Sequence, residues 1–213
     1  MRRLLGYVVG LALAGLSSVA QAEDFDFYVL ALSWSPSYCA SEGANANRQQ
    51  CGATKPYSFV VHGLWPQRER GYPADCATDE PRVPRELARK LFDIMPSTGL
   101  IGYQWRKHGS CSGLSQTDYF SLLRRAREKV RVPNEFSNPR EARNVAPSQV
   151  EARFIQSNPG LTPDAIAVAC DGQFISEVRI CMTKDLAFRS CPEVDRRACK
   201  RGSARMPPLG TNR

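Results

Sequence analysis

The chain has 213 residues, with 29 Lys and Arg against 21 Asp and Glu for a net charge of +8. No apolar run reaches the about 20 residues a spanning helix needs, so no segment is expected to cross a membrane as a helix. A basic balance suits a polyanionic partner through phosphate pairing and counterion release, although charge alone does not decide it.

The chain opens with Arg2 and Arg3, an apolar run from Leu4 to Leu16, and Ala20-Gln21-Ala22. That is a charged region, a hydrophobic region and a small-x-small cleavage site, so residues 1–22 are expected to be a signal peptide. An uncleaved anchor is the competing reading, and the acidic Glu23 and Asp24 directly after the site argue against it. Cleavage takes 29 basic residues to 27 against 21 acids, leaving a net +6. Residues 23–213 are enough for one domain with its own core.

Asp24 to Trp34 is rich in aromatic and aliphatic residues and predicts a strand ending at Ser35-Pro36. Ser41 to Gln50 is small and polar and predicts a loop. Tyr57 to Trp65 predicts a second strand, ended by Pro66 because proline cannot continue a ladder, with His62 near its C-terminal end. Arg68 to Arg82 predicts a surface loop. Pro84 to Met95 has proline in its first turn and an apolar stripe of Leu87, Leu91, Ile94 and Met95, and predicts a helix. Leu100 to His108 predicts another, with Gly109 as its C-cap. Thr117 to Val130 predicts a third, capped by Thr117 and burying Tyr119, Phe120, Leu122, Leu123, Ala126 and Val130. Its arginines and lysine read as an ordinary solvated face.

Val132 to Pro147 carries three prolines and predicts a loop, followed by a short helix over Ser148 to Ser157. Ala165 to Cys170 and Gln173 to Cys181 predict a hairpin turned at Asp171-Gly172. In its second strand Phe174, Ser176, Val178 and Ile180 alternate with Ile175, Glu177, Arg179 and Cys181. A further strand is expected near Met182 to Phe188. From Arg196 onward there are six Lys and Arg and no acid, and the basic tail from about residue 200 is expected to be disordered. The whole predicts an α+β fold: a mostly antiparallel central sheet with helices packed on it.

All eight cysteines follow the signal region: Cys39, Cys51, Cys76, Cys111, Cys170, Cys181, Cys191 and Cys199. An even number in an exported chain predicts four disulfides, with the connectivity left open. Zinc is disfavoured, since no C-x-x-C pair exists and both histidines stand apart. No metal and no cofactor is expected.

The two histidines lie in FVVHGLWPQ, Phe59 to Gln67, and GYQWRKHGSCSG, Gly102 to Gly113. Histidine suits proton transfer near neutral pH. On a helix Gln104, Lys107 and His108 share a face. HGLWP followed by W-R-K-H-G-S-C resembles the two active-site segments of the ribonuclease T2 family. DFDFYVLALSWSPSYC resembles the opening strand and first cysteine of its bacterial periplasmic members. With the cysteine spacing, the resemblance reaches the C-terminal third.

That resemblance implies the pairs Cys39–Cys51, Cys76–Cys111, Cys170–Cys199 and Cys181–Cys191. It implies an exported, metal-independent endoribonuclease of broad base specificity, cutting by 2′-hydroxyl transesterification to 2′,3′-cyclic phosphates. The partner would be RNA, and the mature protein a monomer free of the membrane, in the periplasm or secreted. His108 matches the family's general base, His62 its general acid and Lys107 its phosphorane-stabilising lysine. Trp65 matches a base-stacking aromatic, although it equally fits a core tryptophan. Tyr72 is a second stacking candidate, and Trp105 reads as core. Two positions depart from the family's usual H-E-W. Tyr103 replaces the imidazole and suggests phosphate contact through a phenol. Gln104 replaces a carboxylate, and an amide can donate a hydrogen bond but cannot take up a proton. The alternative is therefore a non-catalytic RNA-binding or host-interaction protein on the same fold.

Overall fold

The computed structural model describes residues 24–54 and 56–210. The expected signal peptide, residues 1–22, lies outside them. A six-stranded sheet runs in the order β2-β1-β5-β6-β3, with β4 also paired to β5. Its strands are β1 Phe27–Trp34, β2 Phe59–Gln67, β3 Arg143–Val145, β4 Ile166–Asp171, β5 Phe174–Met182 and β6 Ala204–Met206. The β1–β2, β1–β5, β4–β5 and β3–β6 pairs are antiparallel, and β5–β6 is parallel. The α+β expectation holds.

β1 is apolar along its length because both of its faces are covered. Tyr28, Leu30, Leu32 and Trp34 join the main core. Phe27 and Val29 join a smaller cluster with Cys181 and Cys191 on the opposite face, against which Trp65 packs. The main core lies between the sheet and three helices: α4 Thr98–Lys107, α5 Gln116–Lys129 and α6 Pro147–Ser157. α5 buries Tyr119, Phe120, Leu122, Leu123 and Ala126, the stripe expected from its periodicity. Its N-cap is Ser115, whose hydroxyl accepts from Asp118 N, so the helix starts just before Thr117. Phe154 of α6 meets Phe59 edge-on at 5.4 Å, and Phe59 tilts on Trp34 at 4.9 Å. Removing a ring buried in this way costs about 3–5 kcal/mol.

Several local expectations are corrected. β1 ends at Trp34 as expected, but residues 35–51 coil into α1 Ser35–Glu42, a 3-10 turn and α2 Arg48–Cys51, where a polar loop was expected over Ser41 to Gln50. Pro36 sits in the first turn of α1, and the side chain of Asn47 caps α2. β2 continues through Pro66 to Gln67. It is an edge strand, paired only with β1, so proline's missing donor breaks no ladder on its open side. α3 is confined to Arg85–Arg89, and turns carry the apolar stripe to a buried Met95. The loop from Val132 contains β3. The hairpin turns at Gly172-Gln173, with Asp171 paired to Phe174 and Gly172 at φ +52°. Beyond β5 there is a single bridge, Met182 to Phe188, in place of a strand.

As far as residue 210, the basic tail expected to be disordered has defined structure. Cys199 N bonds Val168 O at 2.7 Å, and Ala204–Met206 forms β6. Arg205 N bonds Gln173 O at 2.7 Å, and the buried Trp34 Nε1 donates to Pro207 O at 3.1 Å. α7, Pro192–Arg196, precedes this run. The disulfides join Cys39–Cys51, Cys76–Cys111, Cys170–Cys199 and Cys181–Cys191, leaving no free cysteine among the described residues.

Candidate active site

The spacing of HGLWP is explained by a β-bulge. On β1 Ala31 pairs with Gly63, and the next residue, Leu32, pairs with Val61. His62 is the extra residue between them. A strict alternation would put His62 and Trp65 on opposite faces. The bulge resets the phase, and bulges commonly re-aim a side chain in this way. Val61 and Leu64 both stay in the main core, while His62 and Trp65 both reach the other face. His62 is therefore mid-strand, not at a strand end.

A second irregularity faces it. Ala169 and Cys170 of β4 pair with Glu177 and Ile175 of β5, so Ser176 is the extra residue there. Ile175 and Val178 consequently share the core side, which the expected alternation had separated. Glu177 and Arg179 remain on the site side.

His62 Nδ1 and Glu177 Oε1 are hydrogen-bonded. A carboxylate only accepts, so Nδ1 carries the proton and Nε2 is left free. Burial alone would raise the Glu177 carboxyl. The hydrogen bond from His62 and the charges of His62 and Arg179 outweigh it and hold the group at about 2. Arg179 donates to the other Glu177 oxygen, Nε at 3.0 Å and Nη2 at 2.9 Å. Its guanidinium also lies over the Trp65 ring at 5.5 Å.

Trp65 stands in the ring contacts of both imidazoles. Its centroid is 5.4 Å from that of His62 and 5.4 Å from that of His108. Its Nε1 donates to Gln104 Oε1 at 2.7 Å. Gln104 is buried on α4, turned under the indole, so its amide is not presented for phosphate contact. Gly63 is required there, because an added Cβ would overlap both Gln104 Oε1 and Trp65 Nε1.

His108 is the C-cap of α4, its N–H bonded to Gln104 O at 3.0 Å. The expected cap, Gly109, instead opens a 3-10 turn, Gly109–Ser112. Glycine is needed at 109 for packing: a Cβ would lie 2.6 Å from Trp105 and 2.8 Å from Tyr119. Trp105 is core, with Nε1 donating to Glu80 O at 2.7 Å. His108 is buried, and its Nδ1 has no hydrogen-bond partner. Burial, reinforced by the Lys107 and His62 charges and opposed by Asp75, holds this imidazole down to about 4.

Lys107 points away from the core and pairs with Asp75 Oδ2 at 2.5 Å. That hydrogen bond, against some desolvation, raises the lysine above its ordinary value. Asp75 N in turn bonds Lys107 O at 2.9 Å, and the adjacent Cys76 is joined to Cys111. The loop after HGLWP is thus tied to both sides of His108. Tyr72, on that loop and half exposed, tilts over His108 at 5.9 Å. Tyr103 is exposed on α4 beside Lys107.

The two imidazoles line different cavities. One of about 270 Å³ is walled by Val29, Trp65, Tyr72, His108 and Arg179. One of about 140 Å³ is walled by Ser37, Tyr38, His62, Phe174, Ser176 and Glu177. A larger hollow of about 520 Å³, beside Tyr28, Leu122 and Lys184, holds neither histidine and is remote from this chemistry. Sequence reasoning missed Glu177, Arg179 and Asp75. Glu-Val-Arg inside an apolar strand was the available signal for the first two, since residues two apart share a face.

The fold is thus an α+β sheet pinned by disulfides, with two imidazoles each in contact with one tryptophan ring. Residues 25–191 match the model of the Ribonuclease T2 family. A ribonuclease of Aeromonas hydrophila is 36% identical over 185 residues, covering 84% of this chain and 83% of that protein. Ribonuclease I of Escherichia coli is 27% identical over 208 residues, covering 78% of each. Among solved structures, RNase NT in complex with 5′-AMP superposes with a TM-score of 0.68 at 23% identity, over 88% of this chain and all of that one. Trichomaglin, an S-like ribonuclease, gives 0.70 at 21%, over 87% and 99%. The chain belongs to the ribonuclease T2 family, with the bacterial pattern, and is an endoribonuclease.

Proposed function

We propose that the protein is an exported endoribonuclease that cuts RNA without a metal, by attack of the substrate's own 2′-hydroxyl. The observation that carries this reading is that both of the chain's imidazoles contact the same Trp65 ring, each at 5.4 Å between centroids. His108 takes the 2′-hydroxyl proton as the 2′-oxygen bonds to phosphorus. His62 Nε2 gives its proton to the 5′-oxygen as the P–O5′ bond breaks. The products are a 2′,3′-cyclic phosphate and a free 5′-hydroxyl. A base must be unprotonated to act, and burial keeps His108 so above about pH 4. Lys107, beside His108, supplies positive charge for the phosphorane. One base stacks on Trp65 and Tyr72, contacts that tolerate many bases and support broad specificity. Tyr103, exposed beside Lys107, is placed to meet an adjoining phosphate.

Gln104 serves by holding Trp65, so its amide is accounted for without a proton-transfer role. This favours an active enzyme over a non-catalytic binder. The N-terminal signal pattern and four disulfides support export to the periplasm or beyond, and the mature form is read as a monomer. No helix among the described residues is long and apolar enough to cross a membrane. The test is release of acid-soluble nucleotides from yeast RNA in excess EDTA. Wild type should release them and His62→Ala should not. Equal release by the two, or abolition by EDTA, would refute the reading.

A further inference from the structure

We propose that Glu177 is a positioning residue for His62, fixing which nitrogen of the imidazole carries its transferable proton toward the scissile bond. The inference rests on the reading of His62 as general acid and extends it to a residue outside both motifs. His62 sits on a bulge, where the ladder gives its backbone less definition than elsewhere on the strand. Something other than strand geometry must set the ring. Among the described residues, the only carboxylate hydrogen-bonded to it is Glu177, on β5, which lies across β1 from β2.

Glu177 is itself immobilised. Its side chain is 9% exposed, and Arg179 donates to its second oxygen through two nitrogens. Arg179 in turn rests over Trp65, the ring that also meets His62. The chain from Arg179 to Glu177 to His62 therefore closes on the stacking platform. A carboxylate accepting from Nδ1–H forces the other proton onto Nε2, the nitrogen left free for the cleft. A buried carboxylate whose partners are an arginine and a site histidine could also be a plain structural ion pair. The two roles differ in what they do to the chemical step.

General acid help is needed for an alkoxide leaving group and not for a phenolate that departs unaided. The test compares uridylyl-adenosine with uridine 3′-(4-nitrophenyl phosphate). Glu177→Leu removes the acceptor, while Glu177→Gln keeps an oxygen that can accept the same hydrogen bond. Glu177→Leu should lower kcat on uridylyl-adenosine by about 10- to 100-fold, part of the 10²–10⁴-fold of a whole general acid. KM should stay within about twofold, and the nitrophenyl ester should be cleaved at near wild-type rate. Glu177→Gln should recover most of the loss. Because the chain has two histidines, ring ¹⁵N resonances assign simply. Neutral His62 should carry its proton on Nδ1 in wild type and on Nε2 in Glu177→Leu. Equal loss on both substrates, no rescue by glutamine, or an unchanged tautomer would overturn the proposal. His62→Ala is run alongside. If it too loses both substrates equally, the assignment of His62 as acid is what fails.

Discussion

Trp65 Nε1 donates to Gln104 Oε1 at 2.7 Å, joining two motifs that lie 39 residues apart in the chain. Gly63 leaves the gap through which they meet. The glycine of HGLWP and the glutamine of the second motif are therefore one device, which holds the indole in contact with both imidazoles.

Disturbing that device should weaken binding more than chemistry. Gly63→Ala and Gln104→Leu are each expected to raise KM for a dinucleotide about tenfold, equivalent to roughly 1.4 kcal/mol of stacking. Each should leave kcat within about threefold. Steady-state kinetics on uridylyl-adenosine checks this, and an unchanged KM with a collapsed kcat would move Gln104 into the proton-transfer machinery.

The pH profile follows from His108. Its imidazole is held at about 4, chiefly by burial, so the acid limb of kcat/KM should inflect near pH 4. Lys107 lowers this group and Asp75 raises it. Lys107→Met should accordingly shift the limb to higher pH as well as slow turnover, and Asp75→Asn should shift it lower. Initial rates from pH 3 to pH 8 on the three proteins provide the comparison. A limb that moves the same way in both variants would contradict it.

Acid stability is linked to the same burial. Between pH 6.5 and about 4 the unfolded chain protonates His108 while the folded one does not. The neutral ring's contribution is complete above pH 6.5 and is lost as pH falls through that window, by about 3 kcal/mol. Glu177, held at about 2, adds stability that is full above pH 4.5 and is lost below it. Thermal melts of wild type and His108→Gln should diverge in slope between pH 6.5 and 4, with the variant flatter. Parallel curves would show that His108 is solvated.

The Cys76–Cys111 bridge fixes the loop that carries Asp75 and Tyr72 against His108. Closing its loop restricts the unfolded chain by about 4 kcal/mol in the entropy model. The double replacement Cys76→Ser, Cys111→Ser should lower the melting temperature and reduce kcat/KM about tenfold, since misplacement near a reacting centre is costly. Breaking Cys39–Cys51 in the same way should affect stability but not the pH profile.

Much of this site was legible in the sequence, and what was hidden has physical reasons. β1, β2, α5 and the hairpin are long, patterned segments, and their periodicity located them. His62 and His108 were marked by scarcity and by their motifs. The bulge at His62 was not visible, because an extra residue in one strand is defined only by its partner, β1. Glu177 and Arg179 looked like the polar side of a strand, and what they face is set by β2, more than a hundred residues earlier. Gln104 was expected beside Lys107. Helical spacing put it on that face, but hydrogen bonding to Trp65 turned it inward. The tail's basic composition concealed three residues, Ala204–Met206, that are ordered by a disulfide and by hydrogen bonds to distant strands.

The most direct measurement follows ³¹P NMR of uridylyl-adenosine and its 2′-deoxyuridine analogue with the enzyme in excess EDTA. The ribose substrate should give a 2′,3′-cyclic phosphate resonance before any monophosphate, and the deoxy analogue should stay intact. His62→Ala and His108→Ala should each slow the cyclic product by about 10²–10⁴-fold. Cleavage of the deoxy analogue at a comparable rate, or direct appearance of a 5′-phosphate, would contradict attack by the 2′-hydroxyl between these two histidines.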